Sequence, residues 1–261
     1  MQKQYFMSTA QLTREEWLQA RKHGIGGSDA ASIMGDNPWR GPLAVYADKL
    51  DLTGERESSE AMRQGVDLED YVAKRFCEET EKKVRRVNHI LQHRDHEWML
   101  ANVDRMVVGE NAGLECKTTS VYNKSDFEGG EVPRLYQWQC QHYMAVTGCE
   151  RWYLAVLVLS KAFHVFQIDR DEALIERLTE AERAFWHDHV LKKVPPYATA
   201  AEGDAEALSA VYAESVDEMA YLGDASLNAL EMLKLYKADK KKLEDEIAGL
   251  EGVIKANLGA A

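Results

Sequence analysis

The chain has 261 residues, 45% of them hydrophobic, enough for one sizeable core plus an appendage and too apolar for a globally disordered protein. No run of ~18 apolar residues occurs, so no membrane-spanning helix is expected; residues 1–12 lack the apolar stretch of a secretory leader, so the expected compartment is the cytoplasm. A net charge of −12 weighs against a protein that coats nucleic acid non-specifically, although residues 200–261 hold 13 acids against 6 bases and the rest of the chain nets only −5.

In chain order, Thr13 and Glu16 form a Thr-x-x-Glu capping box that opens a short helix over residues 13–19. Gly26 and Gly27 break the chain, and Ser28 is expected to cap the next helix. Residues 37–42, with two prolines, read as a turn that holds Trp39 and Arg40, and residues 43–50 as a helix. Residues 59–80 carry apolar positions at 3–4 spacing (Met62, Val66, Tyr71, Val72 and Phe76 among them) and predict a helix of about 20 residues. The period then changes, and residues 84–91, 98–108 and 113–118 read as three strands. A helix over 133–146, strands over 151–160 and 163–168, and a helix over 171–191 ended by Pro195-Pro196 follow. This order predicts an α/β fold with a mixed central sheet flanked by helices over residues 1–197. Residues 198–261 read as an acidic linker and a C-terminal helical arm, a helical hairpin or short coiled coil, in which Leu227, Leu230, Leu233, Tyr236, Leu243, Ile247, Leu250 and Ile254 recur.

Cys77, Cys116, Cys140 and Cys149 are too widely spaced for a zinc or iron–sulfur site and read as structural thiols. His187 and His189, two apart on a helix, point in different directions and do not form a metal pair. The chemistry lies elsewhere. Asp104 ends one predicted strand, and Glu115 and Lys117 sit on the next. Residues i and i+2 of a strand share a face, so Glu115 and Lys117 project together while Cys116 points into the core and offers its carbonyl. A hairpin brings Asp104 alongside. Two carboxylates and a carbonyl are hard oxygen donors suited to Mg²⁺. Lys117 beside them would orient or deprotonate a water and offset developing negative charge on phosphorus. Glu-x-Lys alone is commonly a solvated pair. Its apolar flanks, the preceding aspartate and the upstream helical Glu69 set this one apart.

Asp104, Glu115-Cys116-Lys117 and the helical Glu69 form the pattern of the PD-(D/E)xK nuclease superfamily. Further motifs occur in order: Arg21-x6-Ser28, Gly65-x3-Glu69, Asn102-Val-Asp104, Tyr136-x2-Gln139-x-Gln141 and Trp152-Tyr153. Over roughly residues 21–191 the chain resembles the phage lambda exonuclease and YqaJ-type viral recombinase family. That resemblance implies a restriction-endonuclease-like core and a two-metal site for Mg²⁺, with Mn²⁺ as a substitute. Asp104, Glu115, the Cys116 carbonyl and Glu69 would serve the metals, with Lys117 as the catalytic lysine. Arg21, Ser28, Asn102 and Gln139 would hold the 5′-phosphate of a DNA end, with Tyr136 nearby. Asn102-Val-Asp104 departs from the family's Ser-Pro-Asp, which leaves the role of Asn102 the least defined.

The expected activity is 5′→3′ exonuclease digestion of one strand of linear double-stranded DNA, leaving a 3′ tail for a single-strand annealing protein. The resemblance also implies a homo-oligomer, a trimeric ring around DNA. A related endonuclease or repair nuclease with the same metal site, or a silent DNA-end-binding scaffold, are the alternatives. A turn containing Trp39 and Arg40 reads as a buried Trp beside a surface Arg, with contact to the duplex end as the other reading.

Overall fold

The computed structural model describes residues 4–54, 59–120, 127, 129–214, 221 and 223–259. It forms two compact units, Met1–Ala213 and Glu214–Ala261. The first unit contains β1 (Gln4–Ser8), α1 (Arg14–Arg21), α2 (Gly27–Ile33), α3 (Pro42–Lys49), α4 (Glu60–Thr80), β2 (Val84–Arg85), β3 (His89–Gln92), β4 (Leu100–Ala101), β5 (Arg105–Val107), β6 (Ala112–Thr119), α5 (Arg134–Thr147), β7 (Arg151–Val158), β8 (Ala162–Asp169), α6 (Glu172–Ala184) and α7 (Glu202–Val211).

A five-stranded sheet has the order β2-β5-β6-β7-β8, with β6 and β7 parallel and the other neighbours antiparallel. A smaller antiparallel sheet has the order β1-β3-β4. The apolar run of β7 reflects burial on both faces. Tyr153 and Ala155 pack with Val72, Ala73 and Phe76 of α4, whereas Trp152, Leu154, Val156 and Val158 belong to the larger core that includes Cys140, Tyr143 and Met144 of α5. Helices therefore cover both faces of the central strands, the mixed α/β architecture expected. Gly113 is required where it stands, because a Cβ there would lie 2.3 Å from the Trp152 ring.

Several local expectations change. Residues 84–91 and 98–108 each divide into two short strands, one in each sheet, because the chain leaves one sheet and joins the other within a few residues. Gln4–Ser8, for which no element is expected above, forms a strand, with Phe6 packed against Ala20, Ile90 and Leu100. The helix expected over 171–191 runs as α6 to Ala184 and then as a π-helical stretch, Phe185–Val190. The boundary also moves: the first unit continues to Ala213, beyond the predicted 197. Buried Asp204 on α7 explains why. The α3 helix begins at Gly41, which has no side chain to cap it. Asp204 Oδ1 instead accepts the Ala44 N–H (2.9 Å), and its Oδ2 accepts from the Thr199 N–H (2.7 Å) and hydroxyl (2.8 Å). Among the described residues of the second unit, Asp224–Leu258 form one continuous helix, α8, in place of a hairpin. No described helix is long and apolar enough to cross a membrane.

One buried polar contact ties three elements together. His142 of α5 places Nδ1 2.8 Å from Glu182 Oε1 on α6 and Nε2 2.8 Å from the Leu100 carbonyl of β4, all within the solvent-excluded interior. A carbonyl only accepts, so Nε2 carries a hydrogen. The imidazole and carboxylate share one further proton. Burial lowers the affinity of His142 for that proton, but Glu182 outweighs it and holds the ring above its ordinary value near 6.5. A folded-state value raised in this way contributes stability that is full below about pH 6.5 and is lost as pH rises through the raised value. Denaturant unfolding from pH 6 to 9 should show falling stability in the parent chain. The slope should flatten in a less stable His142→Gln variant; an unchanged slope in that variant would locate the titration elsewhere.

Candidate active site

The β5–β6 ladder ends at the Arg105–Leu114 pair. Beyond it the Cys116 N–H has no strand partner on that side and donates to Asp104 Oδ2 (2.8 Å). The aspartate side chain thus replaces a missing ladder acceptor, and that bond fixes it beside β6. Glu115 projects from the opposite side of β6 to Leu114 and Cys116, which pack in the α4 core. Its Oε1 receives Lys117 Nζ at 2.5 Å and the Gln139 amide N–H at 2.7 Å, and Gln139 also donates to the Tyr143 hydroxyl (2.8 Å). Glu115 Oε2 is buried and has no hydrogen-bond partner among the described residues. Lys117 lies over the Tyr136 ring, 5.7 Å from its centre. The expected face-sharing of Glu115 and Lys117 is what the strand provides.

Electrostatics make this a demanding site. Burial, and behind it the Glu115 and Glu69 carboxylates, push Asp104 well above the usual carboxylate range. Burial pulls the Lys117 ammonium down, but Glu115 and Asp104 outweigh it and hold it above its ordinary value. Burial, with the same carboxylates, pushes the Cys116 thiol up, so it is inert as a nucleophile. Asp104 and Glu115 repel each other, and a buried oxygen lacks a partner. Hard oxygen donors with an unsatisfied lone pair fit a divalent cation. If such a cation binds here, Asp104 and Glu115, with the Cys116 carbonyl, would be the residues to hold it.

Glu69 reaches the same cleft from α4 but faces elsewhere. Arg105 donates to Glu69 Oε1 (2.6 Å), to the Asp104 carbonyl (2.6 Å) and to Asp70 Oδ1 (2.5 Å). Among the described residues no group of three or more His, Cys, Asp or Glu side chains gathers around one point. The carboxylate pair is therefore assembled, and Glu69 stands beside it on an arginine. Arg105 was missed by the sequence reading. Its signal was an arginine at the start of the apolar stretch Met106-Val107, where burial demands acidic partners.

The residues expected to hold a phosphate form a connected group. Arg21 donates to the Ser28 hydroxyl (2.8 Å) and stacks 4.5 Å over the Trp17 ring, and Trp17 Nε1 donates to Asn102 Oδ1 (3.2 Å). Trp17, Glu69, Asn102, Asp104 and Arg105 line one cleft of about 220 Å³. Gln139 is placed differently, against Glu115 instead of Arg21 and Ser28. Ser28 is not the helix cap: Gly26 is, and its N–H is met by Asp29 Oδ2 (3.0 Å). Asp29 is buried, which would raise its pKa, but Lys49 (2.7 Å) and Arg40 (2.7 Å) outweigh that and hold it far below the usual range. Lys49 Nζ also donates to the Arg21 carbonyl (3.1 Å), so this buried charge cluster braces the Arg21 segment. The turn at 39–40 reverses the expectation: Trp39 is 51% exposed, while Arg40 is tied to Asp29 and Asp48. In the π-helical stretch His189 Nδ1 lies 2.9 Å from the Val194 carbonyl, whereas His187 stands edge-on to Trp98.

This arrangement belongs to a known class of α/β fold. LHK-Exo in complex with dAMP matches with a TM-score of 0.60 at 24% identity, over 69% of this chain and 94% of that one. The alkaline exonuclease LHK-Exo from Laribacter hongkongensis matches with a TM-score of 0.58 at 22% identity, again over 69% and 94%. At these identities the likeness is one of fold. The family is settled by sequence: the model of the YqaJ-like viral recombinase domain matches residues 16–150, and YqaJ of Bacillus subtilis (strain 168) is 42% identical over 250 residues, 94% of this chain and 78% of that protein. The chain belongs to the YqaJ-like viral recombinase domain family.

Asp104 supplies a direct test of the charge crowding. A carboxyl whose folded value is raised stabilises only below its unfolded value near 3.8 and weakens the fold once ionised. Asp104→Asn keeps an acceptor for the Cys116 N–H but removes the charge. In a chelator at pH 7 it should therefore unfold at a higher temperature than the parent, by roughly 2–4 °C for each kcal/mol relieved in a chain of this size. A lower midpoint would mean that the repulsion is not felt.

Proposed function

We propose that this chain is a magnesium-dependent exodeoxyribonuclease that digests one strand of linear duplex DNA in the 5′→3′ direction. One observation carries the reading: half-buried Asp104 is crowded by the buried Glu115 carboxylate, whose Oε2 has no hydrogen-bond partner among the described residues, and the Lys117 ammonium is 2.5 Å from Glu115. Membership of the YqaJ-like family and the fold of LHK-Exo support it. Two Mg²⁺ ions, with Mn²⁺ as a substitute, would polarise the scissile phosphate and activate the attacking water.

The chain's own groups have separate tasks. Asp104 and Glu115 present the oxygens that would hold the cations. Lys117 holds a positive charge against developing charge on phosphorus and can donate a hydrogen bond to a phosphate oxygen or to the water. Gln139 and Tyr143 keep the Glu115 carboxylate in place. Glu69, on release from Arg105, would add a further oxygen. Arg21 offers a planar fork of donors for a terminal phosphate, with the Ser28 hydroxyl beside it. Asn102 Oδ1 is occupied by Trp17, so its amide NH₂ is the group left to meet phosphate. The proximity of Arg21, Ser28 and Asn102 to Asp104, through Trp17, is the support for a 5′-end pocket and hence for the direction. A 3′-tailed product would pass to a single-strand annealing protein; this partner and a trimeric ring rest on the family alone. The four free thiols suit a reducing, cytoplasmic setting.

The deciding experiment is digestion of end-labelled linear duplex, carrying 5′-phosphate or 5′-hydroxyl, with and without Mg²⁺, beside a covalently closed circle. Release of nucleotides from the linear form alone, and only with Mg²⁺, is expected; cutting of the circle points to an endonuclease, and no release to a silent end-binding module. Lys117→Ala should lower cleavage by about 100-fold or more while end binding persists. Arg21→Ala should lose more activity on 5′-phosphorylated than on 5′-hydroxyl ends, and equal losses would dissolve the pocket.

A further inference from the structure

The α8 helix is 35 residues long, about 52 Å at 1.5 Å per residue, and none of its residues is buried. Apolar positions fall at alternating steps of three and four from Leu233 to Ile254, the heptad spacing of a coiled-coil seam, interrupted once by Lys240. Such a seam needs a second helix, and the charges on the helix say which. Residues 224–242 carry five lysines against three acids, whereas residues 243–258 carry four acids against one lysine. One half of the helix is basic and the other acidic. A parallel copy would set like halves together, with Asp239 against Glu244 and Glu246 against Glu251 across the flanks of the seam. An antiparallel copy sets each basic half against an acidic one.

We propose that α8 pairs antiparallel with α8 of a second copy of this chain along Leu233, Tyr236, Leu243, Ile247, Leu250 and Ile254. The register that overlaps the two helices along their whole length places Leu233 opposite Leu250, Tyr236 opposite Ile247 and Ala229 opposite Ile254. Lys240 faces Leu243, and the flanking Lys237 meets Glu244. One like-charge flank remains, Asp239 with Glu246, and the Lys240 ammonium lies beside it. Sliding by one heptad in either direction is worse: it leaves seven residues unpaired at each end and brings either Glu244 and Glu246, or Lys237 and Asp239, each onto its own copy. The match of charge, apolar layers and length in a single register is what selects a second copy as the occupant. This pairing does not depend on the nuclease reading.

Disulfide trapping in the full chain tests it without using activity. Leu233 and Leu250 are both exposed, so their replacement by cysteine should leave thermal unfolding of the first unit unchanged. Under mild oxidation, a 1:1 mixture of Leu233→Cys and Leu250→Cys chains should give a covalent dimer. Neither variant alone should, because the two cysteines of one kind then sit at opposite ends of the pair. The unsubstituted chain controls for Cys77, Cys116, Cys140 and Cys149. Lys237→Glu in both chains should abolish the cross-link, and adding Glu244→Lys should restore it. Cross-linking of Leu233→Cys chains alone would establish parallel pairing and overturn the proposal, and a mixture that remains uncross-linked overturns it as well.

Discussion

The hydrogen bond from the Cys116 N–H to the Asp104 carboxylate is the constraint on which the site depends. Strand β6 outlasts its pairing with β5, and an aspartate side chain fills the place of the next backbone acceptor. A bond from a backbone donor to a charged acceptor contributes about 1.5–3 kcal/mol, more than a neutral one. It keeps Asp104 beside Glu115 despite burial and like charge, both of which favour separation. The rest of the molecule then opposes that tension: Lys117 and Gln139 hold Glu115, and Arg105 ties the Asp104 backbone to α4 through Glu69 and Asp70.

Buried charge recurs around this centre in paired form. Asp29 meets Lys49 and Arg40, and Glu182 meets His142. Buried pairs of this kind add little net stability compared with apolar residues, but removing one partner is costly because the other is left uncompensated. Their value here is geometric. Asp29 and Lys49 fix the Arg21 segment, and His142 joins α5, which carries Gln139 and Tyr143, to β4 and α6. Gly27 completes that register: a Cβ there would meet the Tyr143 ring at 2.5 Å, so α2 and α5 approach as closely as they do only with glycine between them.

Much of this was legible in the chain itself. The two-residue repeat of Glu115 and Lys117, the aspartate a hairpin away and the long α4 follow from periodicities that local backbone geometry enforces. What escaped depends on tertiary contact. Residues 84–91 carry a strand-like composition throughout, and nothing local marks where they change sheets. The environments of Arg40 and Trp39 are not legible locally, because Asp29 and Asp48, which hold the arginine, lie outside the turn. Ser28 resembles a cap by residue type, yet Asp29, one residue on, reaches the Gly26 N–H. The family pattern groups Gln139 with Arg21 and Ser28, whereas α5 turns it to Glu115, a partner fixed by helix rotation and not by sequence spacing.

Asp204 bears on how the first unit can be made. It closes the start of α3 from a point 160 residues later in the chain. While the polypeptide emerges from the ribosome, that contact can form only once the segment around Asp204 has been made. The first unit is thus closed by a piece that, read along the chain, looks like the beginning of a tether, and a chain cut at the double proline would lack that clasp.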